Sequence, residues 1–380
     1  MHAVRLEAAG ASVTVMSAER AVTDWTARYF GQWWKATEVD AESVRAGSVV
    51  TADVSPVHYE DAALGVTEAV HTSTTYAKAQ LLVARDEAAG VISAVSPKEE
   101  LAYRSEPAAG RLMIYGRETE PVATATARLA REVMRGQLLR DGWAVLHASA
   151  VVHESRVVLT FGQKGGGKTT TALALAARGG LGLLANDRVF VRPNDHGGVD
   201  VLPWPSAAAL GLGLLDGLGW SDTVRERLER GETLHPTQDV RVTKALLAGR
   251  REPLWEDGKE LKTQVWPNQF PDWFGVPLAT HGEAAALFFP RIEQDAEPAL
   301  EEGVVRDLGY GDFMSGETED RYPDVFGLAR VDGGGSAEAR REVAHLLADL
   351  PHHSVVLGWD VTANAAFLAK LTGCAADRGQ

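Results

Sequence analysis

Eight consecutive residues, Gly162-Gln163-Lys164-Gly165-Gly166-Gly167-Lys168-Thr169, follow the order glycine, any four, glycine-lysine-serine/threonine. Glycines let the backbone curl so that several N–H groups point inward at a phosphate, Lys168 reaches the terminal phosphates, and the Thr169 hydroxyl holds Mg²⁺. Thr170 follows in the same turn and belongs to the phosphate-binding set. The chemistry is capture of a nucleoside triphosphate, and such a loop does not itself read the base. Downstream, the apolar run 181–185 ends in Asn186-Asp187-Arg188. A carboxylate at a strand end faces the phosphate loop in nucleotide-binding sheets. Three roles are open to Asp187: a direct Mg²⁺ ligand, an anchor for a water of the metal shell, or the acceptor of a hydroxyl proton. Arg188 is a candidate to offset charge on a transferred phosphoryl group.

These residues need a strand, a loop and a helix in that order. Residues 156–161, Arg-Val-Val-Leu-Thr-Phe, suit a buried strand, and residues 168–178, rich in Ala and Leu, predict a helix closed by Gly179-Gly180. Residues 143–152 predict a strand, with a turn at 153–156 making a hairpin. A turn centred between Glu154 and Ser155 sets Val152 opposite Val157 and, by the same count, His147 opposite Gly162. His147 is thereby a second candidate beside the phosphates.

The rest of the chain divides near Glu118-Thr119-Glu120-Pro121. Residues 1–120 read as a small α+β domain, with short strands at 11–15, 48–51 and 111–115 and a helix at 21–34 whose Trp25, Trp33 and Trp34 suit core packing or partner contact. Residues 121–380 read as the nucleotide-binding domain, entered by a helix from Pro121 to Asp141. On that helix Arg128, Arg131 and Arg135 share one face, which reads as a contact for an acidic partner or, eased by Glu132, as a solvated face. Strands at 284–290 and 354–358 and helices at 337–350 and 361–371 are expected to complete the core, and the acidic stretches 293–307 and 309–324 to be a mobile cover or solvated surface.

The chain has 380 residues, 45% of them apolar, which supplies a core without disulfides. Its net charge is -14, from 52 acidic against 38 basic side chains, which argues against a nucleic-acid partner. With a single cysteine, Cys374, no apolar leader segment and no membrane-spanning run, the expectation is a cytoplasmic protein.

Residues 146–151 (Leu-His-Ala-Ser-Ala-Val), the phosphate loop, and Arg178-Gly179 followed by Asn186-Asp187 resemble the core signature of the HPr kinase/phosphorylase superfamily. The resemblance covers about residues 143–193. It implies an α/β fold with a P-loop kinase core related to phosphoenolpyruvate carboxykinase. It also implies ATP and Mg²⁺ as cofactors, Asp187 as general base, His147 as its partner, Lys168 and Thr169 as phosphate and metal binders, and homo-oligomers, which relatives form. The chain departs from that pattern in three places, the first being one extra residue between Arg178-Gly179 and Asp187. Asn186 stands where the family has the first acid of a pair, and residues 203–213 lack a metal-binding glutamate, with no acid before Asp216. A phosphorylase half-reaction is therefore in doubt. The loop also looks like that of chromosome-partitioning ATPases, but Lys164 lies one residue too close to Gly167 for their signature lysine.

The expected activity is transfer of the γ-phosphate of ATP to a hydroxyl of a peptide, small protein or small metabolite. The competing expectation is a nucleotide-responsive binding protein with little or no transfer.

Overall fold

The computed structural model describes residues 1–372 apart from 45, 164, 302, 304–305, 315–322 and 332. Lys164 and Cys374 lie outside the described residues. The chain is a mixed α/β protein in two compact units, Met1–Ala144 with Met314–Ala337, and Val145–Phe313 with Glu338–Gln380.

The first unit runs β1 (His2–Ala8), β2 (Ala11–Ser17), α1 (Arg20–Phe30), β3 (Lys35–Glu38), β4 (Ser48–Val54), α2 (Pro56–Glu68), β5 (His71–Tyr76), β6 (Ala79–Asp86), β7 (Val91–Ser96), β8 (Leu101–Glu106), β9 (Arg111–Gly116) and α3 (Thr119–Arg140). Its nine-stranded sheet has the order β3-β1-β2-β4-β9-β8-β7-β6-β5. The strands alternate as a half-buried surface demands: in β9 Leu112 and Ile114 are buried while Arg111, Met113 and Tyr115 are not. Helix α1 ends at Phe30 rather than at 34, with Gly31 as its C-cap, whose N–H completes the last helical turn on the Ala27 carbonyl at 2.8 Å. Trp33 and Trp34 then turn inward, and the Trp34 ring stacks on Phe30 at 5.2 Å, so both tryptophans are core.

Two expectations change here. The division falls at residue 144, not 120, because α3 packs on β2, β4 and β9 and on α1 of the first unit. Fifteen of its 22 residues are buried, including Arg131, Glu132 and Arg135, so the face read as solvated is interior. Arg135 Nη2 lies 2.7 Å from Glu132 Oε2, and that pairing is what makes buried charge tolerable. The second change concerns the acidic stretch 309–324. Asp312, Phe313 and Met314 are buried, and Phe326, a little further on, packs between the rings of Tyr76 and Tyr103 in the first-unit core.

The second unit runs β10 (Ala144–Leu146), β11 (Ser149–His153), β12 (Arg156–Thr160), α4 (Lys168–Gly179), β13 (Gly182–Ala185), β14 (Val189–Pro193), β15 (Val199–Pro203), β16 (Ala208–Leu210), α5 (Leu212–Leu218), α6 (Ser221–Glu229) and α7 (Val240–Leu247). It continues through β17 (Leu254–Glu256), β18 (Lys259–Leu261), β19 (Thr263–Val265), α8 (Gln269–Phe274), β20 (Gly282–Ile292), β21 (Ala299–Leu300), α9 (Ala337–Ala348), β22 (His352–Leu357) and α10 (Val361–Leu371). The main sheet has the order β10-β14-β15-β20-β12-β11-β13, with β22 beside β20 and β21 beside β22. Strand β20 runs parallel to both β12 and β22, and β11 runs antiparallel to both β12 and β13. Strands β12, β13, β20 and β22 therefore all end at one rim.

Residues 143–152 do not form one strand. The hairpin pairs Val152 with Val157 as expected, but its ladder stops at Ser149–Thr160. The chain breaks at His147 and Ala148, and β10 joins β14 instead. The His147 N–H goes to the Asp312 carbonyl at 2.7 Å, so His147 does not pair with Gly162.

Candidate active site

The site is assembled at the rim where β12 and β13 end. Beyond β12, Phe161 donates its N–H to the Phe288 carbonyl of β20 at 2.8 Å, which keeps the chain in the sheet up to the loop. Gly162, Gln163, Gly165, Gly166 and Gly167 then form the turn, with the Gly166 N–H on the Gln163 carbonyl at 2.9 Å. Gly167 has φ +93°, and a Cβ there would lie 2.7 Å from Ile292 Cδ1 at the end of β20. Only glycine satisfies both the left-handed backbone and that close approach.

Helix α4 starts at Lys168, so Lys168, Thr169 and Thr170 occupy its first turn, where unsatisfied N–H groups and the helix dipole favour an anion. Its apolar positions Ala172 to Ala176 are buried, and α10 packs against it. It ends as the sequence predicts, with Gly180 at φ +74°. Lys168 Nζ donates to the Gly162 carbonyl at 2.5 Å and to the Gln163 carbonyl at 3.4 Å, which holds the ammonium over the loop.

At the end of β13, Asn186 binds three hydroxyls. Its carbonyl accepts from Ser149 Oγ at 2.7 Å and Thr169 Oγ1 at 3.3 Å, and its Oδ1 accepts from Ser206 Oγ at 3.1 Å. Ser149 and Ser206 were not singled out in the sequence. Ser149 could have been, since it lies two residues from His147 in the run read as one strand. Ser206 follows β15 at a loop position that only the fold brings here.

Asp187 is held from two sides. His147 Nε2 lies 3.0 Å from its Oδ1, and Arg188 Nη1 lies 3.2 Å from its Oδ2. Burial opposes ionisation of Asp187, yet the His147 hydrogen bond and the charges of Arg188, His147 and Lys168 outweigh it and hold the carboxyl well below the usual carboxylate range. The Arg188 guanidinium also sits 5.8 Å over the buried Trp204 ring, which itself stacks on Phe190 at 5.1 Å. Asp187 and His147 thus meet although their predicted meeting place at Gly162 does not form.

Among the described residues no group of three or more His, Cys, Asp or Glu side chains is arranged to hold a metal alone. One carboxylate, Asp187, stands next in sequence to the carbonyl that receives the Thr169 hydroxyl. That donor set suits Mg²⁺, which takes its remaining ligands from phosphates and water. Arginines further along the chain are engaged with other groups: Arg241 with Asp239 and Glu256, Arg250 with the carbonyls of Glu252 and Pro253, and Arg251 with Asp216 and Asp222.

No family model matches the chain, and no curated protein matches it. Among solved structures it is similar to the HPr(Ser) kinase/phosphatase from Coxiella burnetii, at 14% identity over 43% of this chain and 68% of that one. The TM-score of 0.21 is too low for the likeness to bear on fold or activity. No helix among the described residues is long and apolar enough to cross a membrane.

Proposed function

We propose that the chain is an ATP-dependent kinase that moves the γ-phosphate to a hydroxyl of a peptide, small protein or small metabolite. The observation that carries this reading is the His147–Asp187 pair at the strand end next to the helix turn bearing Lys168 and Thr169. In this reading the loop N–H groups and Lys168 fix the phosphates in line. The acceptor oxygen forms a bond to the γ-phosphorus as the bond to the leaving β-phosphate oxygen breaks, and the hydroxyl proton passes to Asp187.

A carboxyl held this low is a weak base. The loose transition state of phosphoryl transfer asks for little proton removal until late, so Asp187 orients the hydroxyl first and takes its proton as the new bond completes. His147 keeps the carboxylate ionised and aimed. Thr169 and Asp187 would hold Mg²⁺, which supplies charge neutralisation to the phosphates.

A second reading, a nucleotide-responsive binding protein without transfer, draws on Asp216. It is the first acid after residue 203, and Arg251 engages it at 2.5 Å. The two readings separate when the full chain is incubated with ATP, Mg²⁺ and a pool of hydroxyl-bearing peptides and metabolites and the pool is weighed by mass spectrometry. A phosphoryl mass gain that Asp187→Asn abolishes supports the kinase. Tight ATP binding with no modified acceptor supports the switch.

A further inference from the structure

The first unit contains a cavity of about 230 Å³ at the start of β4 and β9, beneath the end of α3. Arg111, Arg140 and Arg330 line it together with Ser48, Val133 and Leu328. In a chain of net charge -14 three arginines gather at one small hollow, and among the described residues only Arg140 of the three has a structural partner there.

The nearby carboxylates are committed elsewhere. Glu106 is the cross-strand partner of Arg111, but its carboxylate accepts from Arg104 at 2.9 Å and 3.1 Å. Asp324 spends both oxygens on backbone N–H groups, those of Leu328 at 2.6 Å, Ala329 at 3.0 Å and Arg330 at 2.8 Å. Among the described residues neither Arg111 nor Arg330 has an ion-pair partner.

The wall carrying Arg330 is built to stay in place. Leu328 and Ala329 lie so close to α3 that a Cβ on Gly136 would collide with the Leu328 carbonyl. Arg140 Nη1 clamps the Leu328 and Ala329 carbonyls at 2.7 Å and 3.1 Å. Arg330 itself is left-handed, with φ +57°, a strained backbone for a residue that carries a side chain.

We propose that this cavity is a binding site for a small anion bearing phosphate or carboxylate groups, distinct from the phosphate loop. Arg111 and Arg330 are its charge contacts, and Arg140 shapes its wall. The volume is below the roughly 300–1,000 Å³ of drug-sized pockets, which selects a compact polyanion over a nucleotide or a lipid. Guanidiniums open to water give salt-sensitive binding.

The test is thermal unfolding of the full chain with pyrophosphate and with citrate. The proposal expects either probe or both to raise Tm saturably in wild type and in Lys168→Ala, and the rise to weaken with added salt. In Arg330→Gly the rise is lost, while the unliganded Tm is unchanged or higher because the left-handed strain is gone. Arg111→Gln gives the same loss, and should that variant fold poorly, Arg330→Gly decides alone. No rise in wild type overturns the proposal. So does a rise that survives Arg330→Gly, or one that Lys168→Ala abolishes, which would assign the anion to the phosphate loop.

Discussion

His147 Nε2 and Asp187 Oδ1 lie 3.0 Å apart across forty residues of sequence, joined through two strands of one sheet. The hydrogen bond and the neighbouring charges overcome a burial that would otherwise raise the Asp187 carboxyl. Removing the imidazole removes the leading stabiliser of the carboxylate. In His147→Gln the Asp187 carboxyl should therefore titrate at higher pH than in wild type, where it stays below the ordinary 3.8. Carbon-detected NMR of the Asp187 carboxyl reads this directly, and an unmoved titration would mean that the imidazole does not hold the charge. Because the folded-state value is depressed, the associated stability is present above pH 3.8 and is lost as pH falls toward the native value.

Gly167 carries two constraints at once, a left-handed backbone and the Ile292 side chain where a Cβ would sit. Gly167→Ala should cost about 2–4 kcal/mol, combining the backbone penalty with overpacking. Ile292→Ala added to it should restore only the packing part. Denaturant unfolding of the single and double variants checks the partition. Full recovery in the double variant would show that the backbone conformation is not strained.

Glu132 is 3% exposed and sits between Arg131 and Arg135 in α3. Glu132→Ala removes the carboxylate beside two buried guanidiniums and should destabilise the first unit by about 3–5 kcal/mol. Urea unfolding followed by first-unit tryptophan fluorescence measures it. A loss below about 1 kcal/mol would mean that the guanidiniums do not depend on Glu132.

Burial, and then the neighbouring His352, lower the His353 imidazole from its ordinary 6.5, and the ring meets Phe288 edge-on at 5.4 Å. The unfolded chain therefore takes up a proton near pH 6.5 that the folded chain resists, and stability declines as pH falls below that value. His353→Phe keeps the ring and loses the titration. Its stability should fall less steeply between pH 7 and pH 5, and an identical slope would remove His353 from the account.

Local signals were legible in the sequence where geometry is local. The glycine loop, α4 with its Gly180 stop, and the Val152–Val157 register follow from adjacent residues. His147 was legible as a candidate, but for an incomplete reason. The hairpin ladder stops at Ser149, two residues short of it, and a partner at Asp312, 165 positions away, redirects its backbone. Arg131 and Arg135 misled because helical spacing says which residues share a face and not what covers it. In α3 both flanks are covered, one by α1 and another by residues 327–329. The return of residues 314–337 to the first unit rests on contacts such as Phe326 with Tyr103, which no window of neighbouring residues contains.

Calorimetric titration of Mg·ATP into wild type and Lys168→Ala tests the phosphate site most directly. Wild type should show one saturable site, and loss of the ammonium should weaken the affinity about 10–100-fold, the worth of one charge-assisted hydrogen bond. Equal affinity in the two proteins, or no binding to wild type, would contradict it.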